Sequence, residues 1–313
     1  MQNTQREFFN IQSTGEDKTP IKKKMSLTSF ALDTDTSPLF CISLDGSTHA
    51  DSAFDVVTQE FARTPSRLIA MYVFNSKLND QFNYANKKEN VLEKYSDKIS
   101  RSKKDVNLIL EDRNLQYPHA LSQINKLAET VKANYLVAGY YGIKGPKAEN
   151  AELTKGVNYL LSSCYIPTIV IKDITLRKDK KLEKGYNWLF VFDRQYMNPI
   201  RCLRAFLPLI DKENDLVYGL TLNEEFSTIR NHDVKSDFMT EIESGGIVNY
   251  QYEEATYQRN VSSVLAERIN FGSILFDFLV FYNNSNKHKL DGNNSESAKI
   301  VKDCNCSICF YSM

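Results

Sequence analysis

The chain has no run of about 18 apolar residues, so no segment reads as a membrane-spanning helix. It also has no excess of charge of either sign. Lys plus Arg number 39 and Asp plus Glu number 39, giving zero net charge and a pI near 6.9. No bulk field therefore draws the protein to nucleic acid or to an anionic bilayer. Met1–Glu7 has the pattern of neither a secretory signal nor a transit peptide, and a cytoplasmic location is expected.

Catalytic signatures are missing too. His49, His119, His232 and His288 fall on different elements without metal spacing. There is no Gly-x-x-x-x-Gly-Lys-Ser/Thr loop and no Gly-x-Gly-x-x-Gly following a strand. In His49-Ala50-Asp51-Ser52 the polar residues are near neighbours on one helix and cannot face each other as a hydrolase dyad. With no nucleophile beside a base, no residue is assigned a catalytic role. The cysteines Cys304, Cys306 and Cys309 lack a second Cys/His pair of usual spacing. Cys306 and Cys309 lie in an apolar strand where a small thiol packs well, so no metal is expected.

What is present is strand and helix in alternation. Pro38–Leu44 is an apolar strand ending in Asp45-Gly46-Ser47, and Ala50, Ala53, Phe54, Val57 and Phe61 form one helical face. Further apolar strands at 66–74, 106–110, 135–139 and 168–171 are separated by helical stripes within 88–99, 121–131 and 157–164. Strands of nearly continuous hydrophobicity between helices mean a parallel sheet covered on both faces. The fourth strand opens into Gly139-Tyr140-Tyr141-Gly142-Ile143-Lys144-Gly145, and Gly156-Val157 begins the next helix. Glycine lets backbone amides approach an anion closely, and a helix start favours negative charge. The pattern suggests a nucleotide phosphate site.

In these residues the chain resembles the universal stress protein family, over about residues 38–173. Leu44-Asp45-Gly46-Ser47 matches the family's first strand end. Ala138-Gly139-Tyr140-Tyr141-Gly142 and Gly156-Val157 stand where the family has Gly-x-x-Gly, a spacer, and Gly-Ser or Gly-Thr. Ala133–Gly139 and Tyr165–Ile171 resemble its fourth-strand entry and its proline-led last strand. Two departures stand out: thirteen residues separate Gly142 from Gly156, a longer spacer than the family's, and Val157 replaces the family hydroxyl. The resemblance implies an ATP site, with Mg2+ accompanying the phosphates. In it Asp45 lies near the ribose and adenine, and Val73 offers its backbone to adenine. Gly139, Gly142 and Gly145 wrap the phosphates, Gly156 and Val157 give helix-start amides, and Lys144 or Lys147 neutralises charge.

The pattern runs twice. Tyr186–Asp193, 215–222, 247–252, 277–282 and 306–311 repeat the five strands. In the second copy Asn283-Asn284-Ser285-Asn286 replaces the glycine loop and Arg194-Gln195 follows Asp193, so that half is expected to be empty and structural. Asparagine tolerates left-handed backbone, which would let the loop shape survive. The expected fold is α/β, with two tandem doubly wound, Rossmann-like parallel sheets of five strands, in the order 3-2-1-4-5 that the family resemblance implies. The resemblance also implies that the last strands, 168–171 and 306–310, whose apolar edges invite pairing, join to form an intramolecular pseudo-dimer. The expected organisation is a polar tail at 1–37 and a nucleotide-binding domain at 38–174. A lysine-rich linker at 175–185 and a degenerate domain at 186–313 follow. The tail is read as loose, or as an arm using Phe8–Ile11 to anchor on a partner.

Two functions follow. One is an adenine-nucleotide-binding regulatory module, non-catalytic or weakly hydrolytic. The other is a structural subunit of a larger intracellular assembly, cytoskeletal or ciliary, that docks through the tail and second domain and keeps a vestigial site.

Overall fold

The structure is a computed structural model that describes residues 6–11, 21–22, 37–63, 65–77, 87–142, 153–176, 185–193, 200–224, 233–258 and 260–312. The chain divides into two compact units, Met1–Leu160 and Leu161–Met313.

In the first unit, β3 (Leu39–Leu44) is buried along its whole length, as its unbroken apolar sequence requires. It lies between β4 (Arg67–Phe74) and β6 (Tyr135–Gly139), parallel to both, and β5 (Val106–Asp112) follows β4. The order β6-β3-β4-β5 is the expected 4-1-2-3. The helix α1 (Thr48–Val56) buries Ala50, Ala53, Phe54 and Val56. It continues as a π-helical turn over Val57–Phe61, closed by the Ala62 amide bonding Val57 oxygen at 2.8 Å. The helix α2 (Lys88–Ser102) buries Val91, Tyr95 and Ile99, spaced by four. Lys94 and Lys98 of α2 reach Asp51 and Asp55 of α1 at 2.5 and 2.6 Å. The helix α3 (Ala120–Thr130) buries Ile124, Leu127 and Ala128. The last helix of this stretch, α4, covers Lys155–Ser163.

At the amino end, within the segment read as a loose tail or a partner-binding arm, β1 (Arg6–Ile11) pairs antiparallel with β5 over six residues, and β2 (Ile21–Lys22) pairs with β1. The physical reason lies in β5, whose Val106, Leu108, Ile109 and Leu110 are almost wholly buried. Such a strand makes a poor open edge, and the chain closes it with its own segment. The anchor Phe8–Ile11 serves a strand of its own chain.

In the second unit, β8 (Asn187–Asp193) lies between β9 (Leu216–Glu224) and β11 (Phe278–Asn283), all parallel. Outside these run β10 (Asn249–Tyr257) on β9 and β12 (Ser307–Ser312) on β11. This is again 3-2-1-4-5. The strand β7 (Thr168–Ile171) adds to β12 antiparallel, with Val170 opposite Ile308, Ile169 opposite Cys309 and Thr168 opposite Phe310. That is the expected pairing of the two last strands. The helices are α5 (Ile200–Phe206), α6 (Val234–Gly245), α7 (Val261–Phe271), α8 (Ser285–Asp291) and α9 (Glu296–Asp303).

A buried carboxylate ties the start of this second sheet. Asp215 accepts from the Tyr186 amide at 2.7 Å, the Trp188 indole N–H at 2.9 Å and the Asp211 amide at 2.9 Å. Trp188 itself is fully buried and stacks on Phe278 at 4.2 Å.

Candidate functional site

In a doubly wound sheet the ligand crevice opens where neighbouring strands send their connections in opposite directions. In the first unit that point lies at the carboxyl ends of β3 and β6, which are paired. Asp45 follows β3 and Gly142 follows β6. A Cβ on Gly142 would stand 2.9 Å from Asp45 Oδ2, so the carboxylate lies directly against this glycine. The other oxygen, Oδ1, accepts from the Ser47 amide at 2.9 Å, and Gly46 between them has φ 83°. Asp45 thus makes an Asx turn. Ser47 caps α1, its Oγ accepting from Ala50 N–H at 3.1 Å, and donates to Tyr141 oxygen at 3.2 Å. Lys94 donates to Gly46 oxygen at 3.2 Å.

The three remaining described glycine-loop positions differ in what they do. A Cβ on Gly139 would meet backbone atoms of His49 and Ala50 at 2.8 Å, so the first turn of α1 rests directly on β6. A Cβ on Gly156 would meet Leu121 Cδ1 at 2.6 Å, so this glycine lets α4 approach α3. Val157 is buried, and its amide donates to Thr154 Oγ1 at 3.3 Å. Thr154 Oγ1 also lies 3.4 Å from Tyr140 oxygen, linking the start of α4 to the end of β6. Gly145, Lys144 and Lys147 lie outside the described residues. Val73 is half-buried on β4, one residue beyond the last β3–β4 pair, Leu44 opposite Tyr72, and stands opposite Glu111 of β5.

The structure therefore brings Asp45, Gly139 and Gly142 together, joins Gly156 and Val157 to them through Thr154, and puts Val73 on the strand beside Asp45. Other residues at these strand ends were not singled out by sequence. Thr154 occupies the capping position three residues before Val157, a signal legible in sequence. The rings of Tyr140 and Tyr141 meet edge to face at 4.5 Å, and His49 packs on Tyr141 at 5.4 Å. Burial pushes the Tyr72 phenol up to about 12, helped by the Asp45 and Glu89 carboxylates, so it stays neutral. Burial, then the Arg113 and Lys155 cations, hold His119 below the ordinary histidine range. Burial would raise Asp112, but hydrogen bonds from Ser76 and the Arg113 amide outweigh it and keep the carboxylate ionised.

The matching end of the second unit is built differently. Asn284 caps α8 with φ −79°, accepting from Lys287 N–H at 3.1 Å. It does not take the left-handed shape expected for a surviving loop, because its side chain has a helix start to satisfy. Asn283 is buried and donates to Leu161 oxygen at 2.6 Å and Ser312 Oγ at 2.7 Å. His288 is buried against Ser295. Arg194 and Gln195 lie outside the described residues. All six cysteines are free and buried, and no group of three His, Cys, Asp or Glu side chains that could hold a metal occurs among the described residues. No described helix is long and apolar enough to cross a membrane.

No family model matches the sequence, and no curated protein does. Solved structures match well. A universal stress protein from Archaeoglobus fulgidus DSM 4304 superposes with a TM-score of 0.60 at 12% identity, covering 88% of this chain and 96% of its own. The fold is that of the universal stress proteins. A functionally unknown protein from Pseudomonas aeruginosa PAO1 gives 0.59 at 9% identity, covering 88% and 93%. A structure assigned as a universal stress protein of Pseudomonas aeruginosa UCBPP-PA14 gives 0.59 at 10% identity, covering 88% and 94%. At these identities the likeness extends to the universal stress fold and not to its chemistry.

Proposed function

We propose that the first unit is an adenine-nucleotide-binding regulatory module that binds ATP without hydrolysing it at a useful rate. The observation that carries this reading is the meeting of the Asp45 carboxylate with the bare Gly142 at the crevice between β3 and β6. Asp45 Oδ2 is the acceptor for a ribose hydroxyl there. Gly142 leaves room for a ligand's approach that any side chain would narrow. Gly139, Gly145, Gly156 and Val157 would stand along the phosphates, and Val73 would meet the base. Mg2+ would come with the nucleotide, since the described residues hold no cluster able to bind it alone. With no residue assigned a catalytic role from the sequence, the bound state itself is read as the signal.

A structural role with a vestigial site is favoured by one observation. The helix-start amide of Val157, which would face a phosphate, already bonds Thr154 within the chain. Titration calorimetry with Mg·ATP separates the two. One equivalent bound per chain, lost in Asp45→Ala, supports the module. Absence of heat together with absence of a thermal shift refutes it.

A further inference from the structure

Helix α3 follows β5 and helix α4 follows β6, so both begin at the carboxyl edge of the first sheet. A Cβ on Gly156 would stand 2.6 Å from Leu121 Cδ1, so the first turns of the two helices lie against each other. His119 is the residue before α3, and Lys155 is the first of α4. Tyr159 lies one turn on from Lys155 along the same helix face. Its ring meets the His119 imidazole edge to face at 6.4 Å. His119 and Lys155 therefore look onto one junction.

Arg113 brings a second fixed charge to it. Its amide bonds Phe74 oxygen at 2.7 Å, and its Nη2 donates to the carbonyls of Tyr117 at 3.2 Å and Pro118 at 2.8 Å. Those bonds hold the loop that delivers His119, and they engage no carboxylate. Arg113 Nε is buried and has no acceptor. The adjacent carboxylate, Asp112, is taken up by Ser76 and by the Arg113 backbone amide. Lys155 is exposed, and among the described residues no carboxylate pairs with it. Burial, then these two cations, disfavour a proton on the His119 imidazole. A buried N–H without an acceptor, beside two cations and a third donor, is a setting that an anion completes.

We propose that Arg113, His119 and Lys155 form a receptor for a phosphate group. The charge selects the class: two fixed positive charges and the imidazole donors match a phosphate dianion, whose several oxygens can accept from all three at once. A chloride ion leaves one charge uncompensated. Two sources supply this chemistry, the terminal phosphate of a nucleotide seated at Gly156 and free inorganic phosphate. Only the first rests on the nucleotide reading; the receptor itself goes beyond it.

Proton NMR of the histidine C2–H signals in the full chain tests this, the His119 signal being the one missing from His119→Asn. Inorganic phosphate at constant ionic strength should move the His119 titration midpoint up by about one pH unit and then saturate, because a near anion favours the imidazolium. Chloride should not. Lys155→Gln, at an exposed position, should weaken phosphate about threefold, and Lys155→Arg should restore it. A midpoint moved by ATP and not by AMP makes the nucleotide the source. A response to phosphate that persists under saturating ATP makes free phosphate the source. If His119 responds to phosphate in a chain that binds no ATP, the receptor stands and the nucleotide module falls. If ATP binds while His119 is unmoved by ATP and by phosphate alike, the receptor alone is refuted. A drift that grows linearly without saturation overturns the proposal, as does a Lys155→Gln chain that responds like the wild type.

Discussion

Two glycines of one loop should respond oppositely to the same added methyl group. At Gly139 an alanine Cβ would stand 2.8 Å from backbone atoms of His49 and Ala50, about 0.6 Å inside ordinary carbon contact. Backbone at a helix start cannot swing aside, so α1 must shift off β6. Overpacking of this kind costs about 1–3 kcal/mol. For a unit of this size, at roughly 2–4 °C per kcal/mol, that lowers the melting temperature by roughly 2–12 °C. At Gly142 the atom met is Asp45 Oδ2, the far end of a side chain that can rotate. Neither glycine has positive φ, so no backbone strain is added. Gly142→Ala should change stability by less than about 0.5 kcal/mol, yet it should lower ATP affinity by narrowing the crevice. Differential scanning fluorimetry with and without Mg·ATP reads both effects. Equal destabilisation by the two variants, or an unaltered melting temperature for Gly139→Ala, would refute the separation of packing glycine from site glycine.

Asp215→Ala leaves the Trp188 indole and the Tyr186 and Asp211 amides without their acceptor. It should cost about 3–5 kcal/mol in urea unfolding followed by Trp188 fluorescence; a loss below about 1 kcal/mol contradicts the assignment. His119 has a depressed folded pKa, so the unfolded chain takes up its proton first as pH falls. Stability should therefore decline below the unfolded value of about 6.5 and level off beneath the folded one. That slope should vanish in His119→Asn.

The strands were legible because each buried one is an unbroken apolar run between turn residues, as in Leu39–Leu44 before Asp45-Gly46-Ser47, and their order followed from the family resemblance. Duplication made the reading stronger, since the second set of strands had to obey the same order. The helix α6 was missed. Its buried Val234, Phe238 and Ile242 are spaced by four, but they are few and separated by exposed polar residues. The strand β1 was missed for a related reason. Averaged over residues 1–37 the segment is polar, and only the demand of β5 for a covered edge explains Arg6–Ile11. Pairing across about 100 residues leaves no periodic mark in the segment that supplies it.

The site shows a sharper limit. Spaced glycines alone do not say which are spared a side chain for a ligand and which for a neighbouring helix. Gly139 and Gly156 face protein atoms at 2.8 and 2.6 Å, so folding alone accounts for both. Gly142 is different, because among the described residues it faces the end of the Asp45 carboxylate, and the two together are what a ligand would find. The same logic explains the second unit. There the strand end carries a capped helix and a buried asparagine where the first unit has its glycines. A test follows from that contrast. Asp45→Asn keeps the Ser47 amide bond through its carbonyl oxygen while removing the charge. Stability should hold within about 0.5 kcal/mol, whereas nucleotide affinity should fall if the carboxylate receives ribose hydroxyls. Loss of stability without loss of binding would make Asp45 a turn residue only, and Gly142 merely its neighbour.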